Sequence, residues 1–272
     1  MDVGGSGLPV DMGHPVMRGS SAPGMFALTA TRCFHEYGWT REDLARVAVK
    51  NHKNGALHPK AHFRRAITLE TALNAPMIAW PLGRFDSCAM SDGAAAVVVT
   101  RPEIAKKSKH KHDYALTKAN ALTMHAFLPM YRASYDWLGF PATQNSARLA
   151  YAEAGIKNPV EEIDLAEVHD CFTITELLNI QDLGFCKQGD APKFVRDGHA
   201  DVGGKIAVNA SGGLKCFGHP IGATGCRMLC EITKQIQGRA EGAQVKNARL
   251  GLAHNLGGPG SVCAVTILGR PD

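Results

Sequence analysis

The sequence lacks three features that would assign it to other classes of protein. Its 272 residues include eight cysteines, but no two of them have the Cys-x-x-Cys spacing of zinc ribbons and redox motifs. The longest uninterrupted apolar run, residues 94–99, is far shorter than the roughly 20 residues of a membrane-spanning helix. No segment repeats with a period of about 20 to 50 residues, which excludes a solenoid.

Targeting signals are lacking as well. No charged and then apolar signal segment opens the sequence, and the final Gly-Arg-Pro-Asp is not a peroxisomal address of the Ser-Lys-Leu type. Cysteines scattered through a chain of this length suit a reducing compartment better than a disulfide framework. We therefore expect a cytoplasmic protein that is not associated with a membrane.

The composition is that of a folded protein with a substantial core. Hydrophobic residues make up 45% of the sequence, and the formal net charge is +5 at pH 7. Lys and Arg are dispersed except in the run Lys-Lys-Ser-Lys-His-Lys-His over residues 106–112. Such a run is more often a solvated loop or helix end than a nucleic-acid surface, so no nucleic-acid partner is expected.

Apolar spacing and turn residues predict alternating helices and strands. The predicted helices cover residues 25–37, Thr40 through Ala48, 142–154, 173–183 and 222–236. The predicted strands cover residues 163–168, 205–209, 249–254 and 261–268, with an extended piece near 114–124 and irregular structure over 1–24 and 50–66. Strands that alternate with helices indicate an α/β sheet with crossover connections.

One further strand is predicted over residues 94–99. Asp92 and Gly93 form a turn signal, and the run Ala-Ala-Ala-Val-Val-Val follows them. A short apolar run rich in β-branched residues after a turn is typical of a strand that is buried on both faces. We therefore expect this segment inside a sheet.

The densest motif is Asn-Ala-Ser-Gly-Gly-Leu-Lys-Cys-Phe-Gly-His-Pro-Ile-Gly-Ala-Thr-Gly, over residues 209–225. Glycine at this density is typical of backbone that turns with positive φ or approaches another group closely. His219 lies between Gly218 and Pro220, just before a predicted helix, so its side chain is held on a stiff loop. From composition alone, a glycine turn with an incidental histidine fits equally well.

A second motif, His169-Asp170-Cys171-Phe172, lies between a predicted strand and a predicted helix. Open α/β sheets bind ligands at the carboxyl ends of their strands. A neighbouring histidine and a helix N-terminus both lower the pKa of a cysteine, which favours proton transfer or nucleophilic attack. The alternative is a buried structural cysteine, which is the more common role of a lone cysteine.

A third motif, His-Asn-Leu-Gly-Gly-Pro-Gly over residues 254–260, is predicted between two strands. Backbone N–H groups exposed in such a turn could hold a developing oxyanion. By itself, however, the motif is only a glycine turn.

Together the three motifs resemble the thiolase superfamily, and most closely its sterol-carrier-protein type. The second motif stands where most thiolases have Asn-Glu-Ala-Phe, and the first carries their Gly-His-Pro. The third stands where they have Cys-x-Gly-Gly-Gly, so His254 occupies the usual cysteine position. In the sterol-carrier type, the cysteine of His-Asp-Cys-Phe takes over the acid/base role, and here that cysteine is Cys171.

The resemblance also covers residues 25–105, where Asp86-Ser87-Cys88 and residues 91–96 resemble the end of the family's CoA-binding loop region and its return strand. It implies an α/β thiolase-like fold with a layered αβαβα architecture. Residues 1–112 would form the loop region and final strand of the N-terminal thiolase domain. Residues 113–272 would form the C-terminal thiolase domain.

The resemblance implies a CoA-dependent acyltransferase, acting in thiolytic cleavage of 3-ketoacyl-CoA or the reverse Claisen condensation. The substrate would be CoA or an acyl-CoA, with no tightly bound cofactor and no metal. Cys171 would move the α-proton, and His169 and His219 would help hold the thioester oxygen. The remaining implied site residues are the backbone of Leu256, Gly257 and Gly258 as a second oxyanion hole, and Ser87 and Cys88 as CoA contacts.

The resemblance further implies that the acyl-carrying cysteine belongs to an N-terminal half that precedes the region where this sequence begins. Cys33 lacks the family's nucleophile context, so we do not expect it to substitute. Three explanations stay open, which are a truncated product, one half of a split enzyme, and a noncatalytic subunit. We expect incompleteness, because His169, Cys171 and His219 are retained together.

Two other functions are also compatible with the sequence. One alternative is a retro-aldol lyase acting on steroid side-chain CoA esters, whose relatives pair with a small OB-fold and zinc-ribbon protein. Those lyases have tyrosines at the acid/base positions, whereas this sequence has cysteine and histidine. The other alternative is a noncatalytic subunit that binds CoA or lipid. Members of the family are dimers or tetramers, so a homo-oligomer is expected.

Overall fold

A computed structural model describes residues 21–111, 113–125 and 133–271, and its centre is a mixed five-stranded sheet with the strand order β3-β7-β6-β4-β5. β4 runs parallel to β5 and β6, whereas β7 runs antiparallel to β6 and β3. A separate pair of short strands, β1 and β2, lies outside this sheet. The strands are β1 Met77–Ala79, β2 Leu82–Gly83, β3 Leu116–Met124, β4 Leu165–Val168, β5 Ala207–Val208, β6 Leu250–Gly257 and β7 Val262–Gly269.

The longest uninterrupted pairing in the sheet is the hairpin of β6 and β7. Its register runs without interruption from Leu250 opposite Gly269 to Gly257 opposite Val262. A short helical turn, Gly258–Ser261, joins the two strands. β7 is rich in β-branched residues, and Val265 and Ile267 are fully buried. These strands therefore form because their β-prone side chains fill the core beneath the helices.

Besides the helical turn Gly258–Ser261, the described residues form ten helices and a 3₁₀ turn over Arg84–Asp86. They are α1 Ala22–Tyr37, α2 Arg41–Ala56, α3 Leu69–Leu73, α4 Pro102–Lys107, α5 Pro141–Ala154, α6 Pro159–Glu162, α7 Thr173–Asp182, α8 Ala191–Arg196, α9 Gly213–Phe217 and α10 Thr224–Ile236. α5 packs on β3 and β7, α10 packs on β6, and α2 contacts α7, α8 and α9. One apolar core runs from α1 to β7.

Most predicted elements are confirmed with shifts of a few residues at their ends. α1 ends before Gly38 as predicted, and Asp43 accepts the backbone N–H of Thr40 at 2.9 Å, where α2 begins. The basic run begins at the exposed end of α4, as expected of a solvated helix end. Residues 1–20 of the predicted first loop, and His112, lie outside the described residues.

The prediction of irregular structure over 50–66 is wrong in its first part, because α2 continues to Ala56. The buried face of this last stretch is polar and includes Lys50, Asn51 and Asn54. A search for apolar spacing misses a helix whose inward side chains are polar and find hydrogen-bond partners inside the protein.

The prediction of a buried strand over residues 94–99 is also wrong. The segment pairs with no strand of the described chain, and Val98 and Val99 are 95% and 84% exposed. The thiol of Cys230 donates to the Ala96 carbonyl at 3.4 Å, so the segment lies beside α10. Strand propensity alone does not form a strand, because the ladder needs a partner. Among the described helices, none is both long and apolar enough to cross a membrane.

Candidate active site

The three sequence motifs meet at one edge of the central sheet. The second motif follows β4, and the third lies at the end of β6, which is parallel to β4. The carboxyl ends of both strands therefore lie at the same edge. The loop between α9 and α10 places His219 against this edge, where its ring centroid lies 5.0 Å from that of His169, at 87°.

His219 is held by the start of α10. Its Nδ1 lies 2.7 Å from the Thr224 hydroxyl, which itself donates to the Pro220 carbonyl at 3.1 Å. Burial, followed by the charge of Arg227, lowers the His219 pKa to about 4, so the ring is neutral at physiological pH.

The loop before His219 passes close to the segment that follows the 3₁₀ turn. Gly218 has a φ of 124°, which other residues adopt only with strain. A Cβ at this position would lie 3.0 Å from the Ser91 hydroxyl oxygen. Glycine is therefore required for the loop to present His219 at this place.

His169 is buried and is neutral for the same reason as His219. Its Nδ1 lies 3.0 Å from the Asn255 side-chain oxygen, which can only accept, so Nδ1 is the donor. Burial lowers the His169 pKa to about 3, and the neighbouring His219 acts in the same direction. His169 thus offers an unprotonated Nε2, which can accept a proton, and both imidazoles are neutral.

Cys171 is a buried thiol. Its Sγ lies 3.9 Å from the Thr175 hydroxyl, which donates to the Phe172 carbonyl at 2.6 Å. Burial, followed by the neighbouring Cys88, raises the Cys171 pKa well above the ordinary value. The sequence-based expectation of a lowered pKa is therefore wrong, since desolvation dominates and the neighbouring histidines carry no positive charge. A thiol of this kind is suited to donate a proton.

Ser87 and Cys88 lie directly beside Cys171. The backbone N–H of Cys88 donates to the Cys171 carbonyl at 2.9 Å, and Ser87 forms a β-bridge with Phe172. The buried Ser87 hydroxyl has no hydrogen-bond partner among the described residues. Burial raises the Cys88 pKa to about 12. The structure thus brings together the residues that the sequence assigned to proton transfer and to CoA.

Asp170 connects the second motif to the first. Its Oδ1 accepts the backbone N–H of Leu214 at 2.6 Å, and its Oδ2 accepts the Asn51 side chain at 2.8 Å. Gly213 has a φ of +66°, and a Cβ there would overlap the Asp170 carboxylate. Burial, followed by the charge of Glu176, raises the Asp170 pKa to about 8. The loop with Cys171 and the loop leading to His219 are therefore one unit.

Sequence reasoning missed the polar residues beneath this unit. Lys50 and Glu176 form a fully buried ion pair, with Nζ and Oε1 2.9 Å apart. Lys50 also donates to the Val208 carbonyl at 2.7 Å, and the Asn51 and Asn209 amides both donate to Glu176 at 2.7 Å. The available signal was the helical spacing of polar residues in α2, which apolar patterns do not detect.

The third motif lies deeper than predicted. β6 continues to Gly257, so Leu256 and Gly257 are strand residues opposite Cys263 and Val262. Of the three residues predicted to form the second oxyanion hole, only Gly258 belongs to the turn. His254 is fully buried within the strand. Its Nδ1 accepts the backbone N–H of His169 at 3.3 Å. The strand thus positions the second motif from below.

Elsewhere in the described part of the chain, one group of side chains has ligand atoms close enough for a metal ion, namely His58, Glu231 and Glu241. Lys60 and Lys234 each place Nζ 3.0 Å from the Glu241 carboxylate. His58 Nδ1 accepts the Lys60 backbone N–H at 3.2 Å, and its Nε2 lies 3.1 Å from Glu231. Two ammonium groups and an N–H already satisfy these carboxylates, so the cluster is an ion-pair network rather than a cation site.

Fold and site together define an α/β protein with a histidine and cysteine centre at the carboxyl edge of a mixed sheet. The chain belongs to the thiolase family. Residues 129–270 match the family model described as "Thiolase C-terminal domain-like", and residues 12–103 match "Thiolase, N-terminal domain".

Three known proteins illustrate the similarity. An acetyl-CoA acetyltransferase of Methanothermobacter thermautotrophicus is 39% identical over 96% of this chain and 66% of its own length. Sterol carrier protein 2 of Oryctolagus cuniculus is 33% identical over 95% of this chain and 46% of its own length. The solved structure of an "Ltp2-ChsH2(DUF35) aldolase" superimposes with a TM-score of 0.78 at 31% identity, covering 90% of this chain and 63% of that chain. The chain therefore spans less than two thirds of each.

Proposed function

We propose that this chain supplies the proton-transferring part of a thiolase-type acyltransferase, which cleaves 3-ketoacyl-CoA by thiolysis or catalyses the reverse Claisen condensation. The observation that carries the proposal is the pair of neutral imidazoles, His169 and His219, whose rings lie 5.0 Å apart at the sheet edge where Cys171 follows β4. The 39% identity with an acetyl-CoA acetyltransferase supports the same reaction.

In this proposal Cys171 acts on the α-carbon. The acyl-carrying thiolate attacks the 3-keto carbon, and cleavage of the bond to the α-carbon leaves the acyl group on that sulfur as a thioester. The other product is an enolate of the shorter acyl-CoA, and the Cys171 thiol donates its proton to the α-carbon. A thiol whose pKa is raised by burial holds its proton until such a strong base forms. In the condensation direction, the thiolate removes the same proton.

The two imidazoles act as proton acceptors in this proposal. His219 Nε2 accepts the proton of the incoming CoA thiol, so that the sulfur can attack the acyl group. The oxyanion role that the resemblance implies for the two histidines would instead require the imidazole proton on Nε2. The backbone of Leu256, Gly257 and Gly258 keeps its proposed oxyanion role, and Ser87 and Cys88 their proposed contact with CoA.

We assign the acyl-carrying thiol to the N-terminal half of a thiolase, as the resemblance implies. Cys33 does not fit this role, because it is fully buried in α1 and burial raises its pKa to about 12. Residues 1–112 are proposed as the loop region and last strand of an N-terminal thiolase domain, and residues 113–272 as the C-terminal domain. The proposal includes a homo-oligomer in the cytoplasm, which light scattering and a fluorescent fusion would test.

A retro-aldol lyase subunit is the second candidate function. Its support is the TM-score of 0.78 with a solved structure whose name, "Ltp2-ChsH2(DUF35) aldolase", includes two proteins. In this case the chain would pair with a small OB-fold and zinc-ribbon protein. Cleavage of a β-hydroxyacyl-CoA by the chain and such a partner, without added CoA thiol, would favour the lyase over the thiolase.

The experiment for the main proposal compares wild type with Cys171→Ala. Loss of thioester absorbance reports thiolysis, and deuterium incorporation at the α-carbon of acetyl-CoA in D₂O reports proton transfer without an acyl-carrying cysteine. We expect Cys171→Ala to lower the rate of deuterium incorporation about 100-fold or more, and to lower thiolysis as strongly when the acyl-carrying half is supplied. Cys186→Ala is the matched control, since Cys186 lies outside the site and should have little effect. Activity that survives in Cys171→Ala would exclude this assignment.

A further inference from the structure

We infer that His254 is a positioning residue that fixes the backbone of His169 through a closed ring of four hydrogen-bonded residues. The catalytic part of this inference rests on the proposed function, whereas the ring itself does not. The ring joins β6, α5, α7 and the loop after β4. Through it, the side chains of His254 and Asn179 hold the N–H and the carbonyl of His169.

The ring closes with consistent donors and acceptors. The His169 N–H donates to His254 Nδ1 at 3.3 Å, and His254 Nε2 lies 2.9 Å from the Thr143 hydroxyl. That hydroxyl donates to the Asn179 side-chain oxygen at 3.5 Å, and the Asn179 amide donates to the His169 carbonyl at 2.8 Å. Since Nδ1 accepts, Nε2 carries the proton, and each of the four links has one donor and one acceptor.

Burial separates His254 from the reacting groups. His254, Thr143 and Asn179 are all fully buried. Burial lowers the His254 pKa to about 3, so the ring is neutral. Both of its nitrogens are already used within the protein. His254 therefore has no free nitrogen with which to move a substrate proton, although it occupies the position where most thiolases have a reactive cysteine.

The consequence of the ring is a fixed His169. The adjacent Asn255 accepts from the His169 imidazole at 3.0 Å, so consecutive residues of β6 hold the backbone and the ring of the same histidine. Since Asp170 and Cys171 follow directly, a shift of the His169 backbone would also move the thiol. Displacing a reacting group by about 1 Å can cost about 100-fold in rate.

Thr143 provides the sharpest test, because its hydroxyl can be removed without a large change of shape. Thr143→Val removes one link of the ring, and Thr143→Ser keeps it. In α-carbon exchange and in thiolysis, we expect Thr143→Val to lower kcat about 10- to 100-fold while KM stays within about twofold of wild type. Thr143→Ser should retain most of the wild-type kcat. Ser146→Ala is the control for a lost buried hydroxyl, since Ser146 lies on the same helix and donates to the Cys263 carbonyl at 2.8 Å outside the ring.

A measurement that needs no activity keeps the inference separate from the proposed function. Proton–nitrogen correlation spectra of the histidine rings in the full chain should show His254 protonated at Nε2 and unprotonated at Nδ1. In Thr143→Val this pattern should weaken or change. A proton on Nδ1 of wild-type His254, or Val and Ser variants with equal kcat, would overturn the inference. Absence of α-carbon exchange together with the expected His254 tautomer would instead refute only the proposed function.

Discussion

The carboxylate of Asp170 accepts the backbone N–H of Leu214 at 2.6 Å, which ties the loop that carries Cys171 to the loop that leads to His219. Two sequence motifs separated by about forty residues thus behave as one rigid unit. The bond is short and lies where water is excluded, so it holds the two loops together.

Gly213→Ala should destabilise the protein and displace the Asp170 carboxylate. The new methyl group would overlap that carboxylate, and the φ of +66° adds strain for any side chain. We expect a loss of about 2 to 4 kcal/mol in the free energy of unfolding, measured by urea denaturation. Gly238→Ala is the matched control, since Gly238 has a φ of +70° but open space around it. Equal losses in the two variants would show that the contact with Asp170 is unimportant.

Lys50→Met should be strongly destabilising, because it leaves the buried charge of Glu176 without its cation. The ion pair is 2.9 Å long, with both side chains almost fully buried. Removing one partner of such a pair costs about 3 to 5 kcal/mol. The double variant Lys50→Met with Glu176→Gln should recover a large part of this loss. A double-mutant cycle in urea measures both effects, and additive losses would contradict the coupling.

The free energy of unfolding should decrease as the pH falls, because His169 resists protonation in the folded protein. Its pKa is lowered from 6.5 to about 3 by burial. Below about pH 6.5 the unfolded chain binds a proton at this residue that the folded protein does not bind. Falling pH therefore favours unfolding, by up to about 1.4 kcal/mol per pH unit.

The comparison with His169→Asn isolates this contribution, because Asp170 and Asp182 have raised pKa values and oppose it in both proteins. The stability of wild type relative to His169→Asn should be constant above about pH 7 and should decrease by about 3 kcal/mol by pH 4. Urea denaturation at a series of pH values measures the difference. A difference that does not change with pH would mean that His169 titrates normally in the folded protein.

His254→Cys should lower activity, although cysteine is the residue that most thiolases have at this position. A thiol cannot span from the His169 N–H to the Thr143 hydroxyl, so the ring of hydrogen bonds would be broken. We expect kcat for α-carbon exchange to fall about 10-fold or more. An increase would instead indicate that this position faces the substrate and takes part in proton transfer.

Local features of the sequence were sufficient to predict much of the fold. The helices α1, α5, α7 and α10, and the strands of the central sheet, follow from apolar spacing and from Gly and Pro at their ends. These signals act over a few residues and need no distant partner. The motifs with His169, Cys171 and His219 were also identifiable, because their residue types are typical of acid/base chemistry next to glycine-rich turns.

The tertiary structure decided the protonation state of those residues and the fate of two segments. Cys171 has a raised pKa because the fold removes it from water, which no neighbouring residue in the sequence indicates. Lys50 reaches the site through a helix whose inward face is polar. Residues 94–99 have the composition of a strand but lie exposed. Burial, charge pairing and strand pairing depend on groups that are distant in sequence, so only the folded chain settles them.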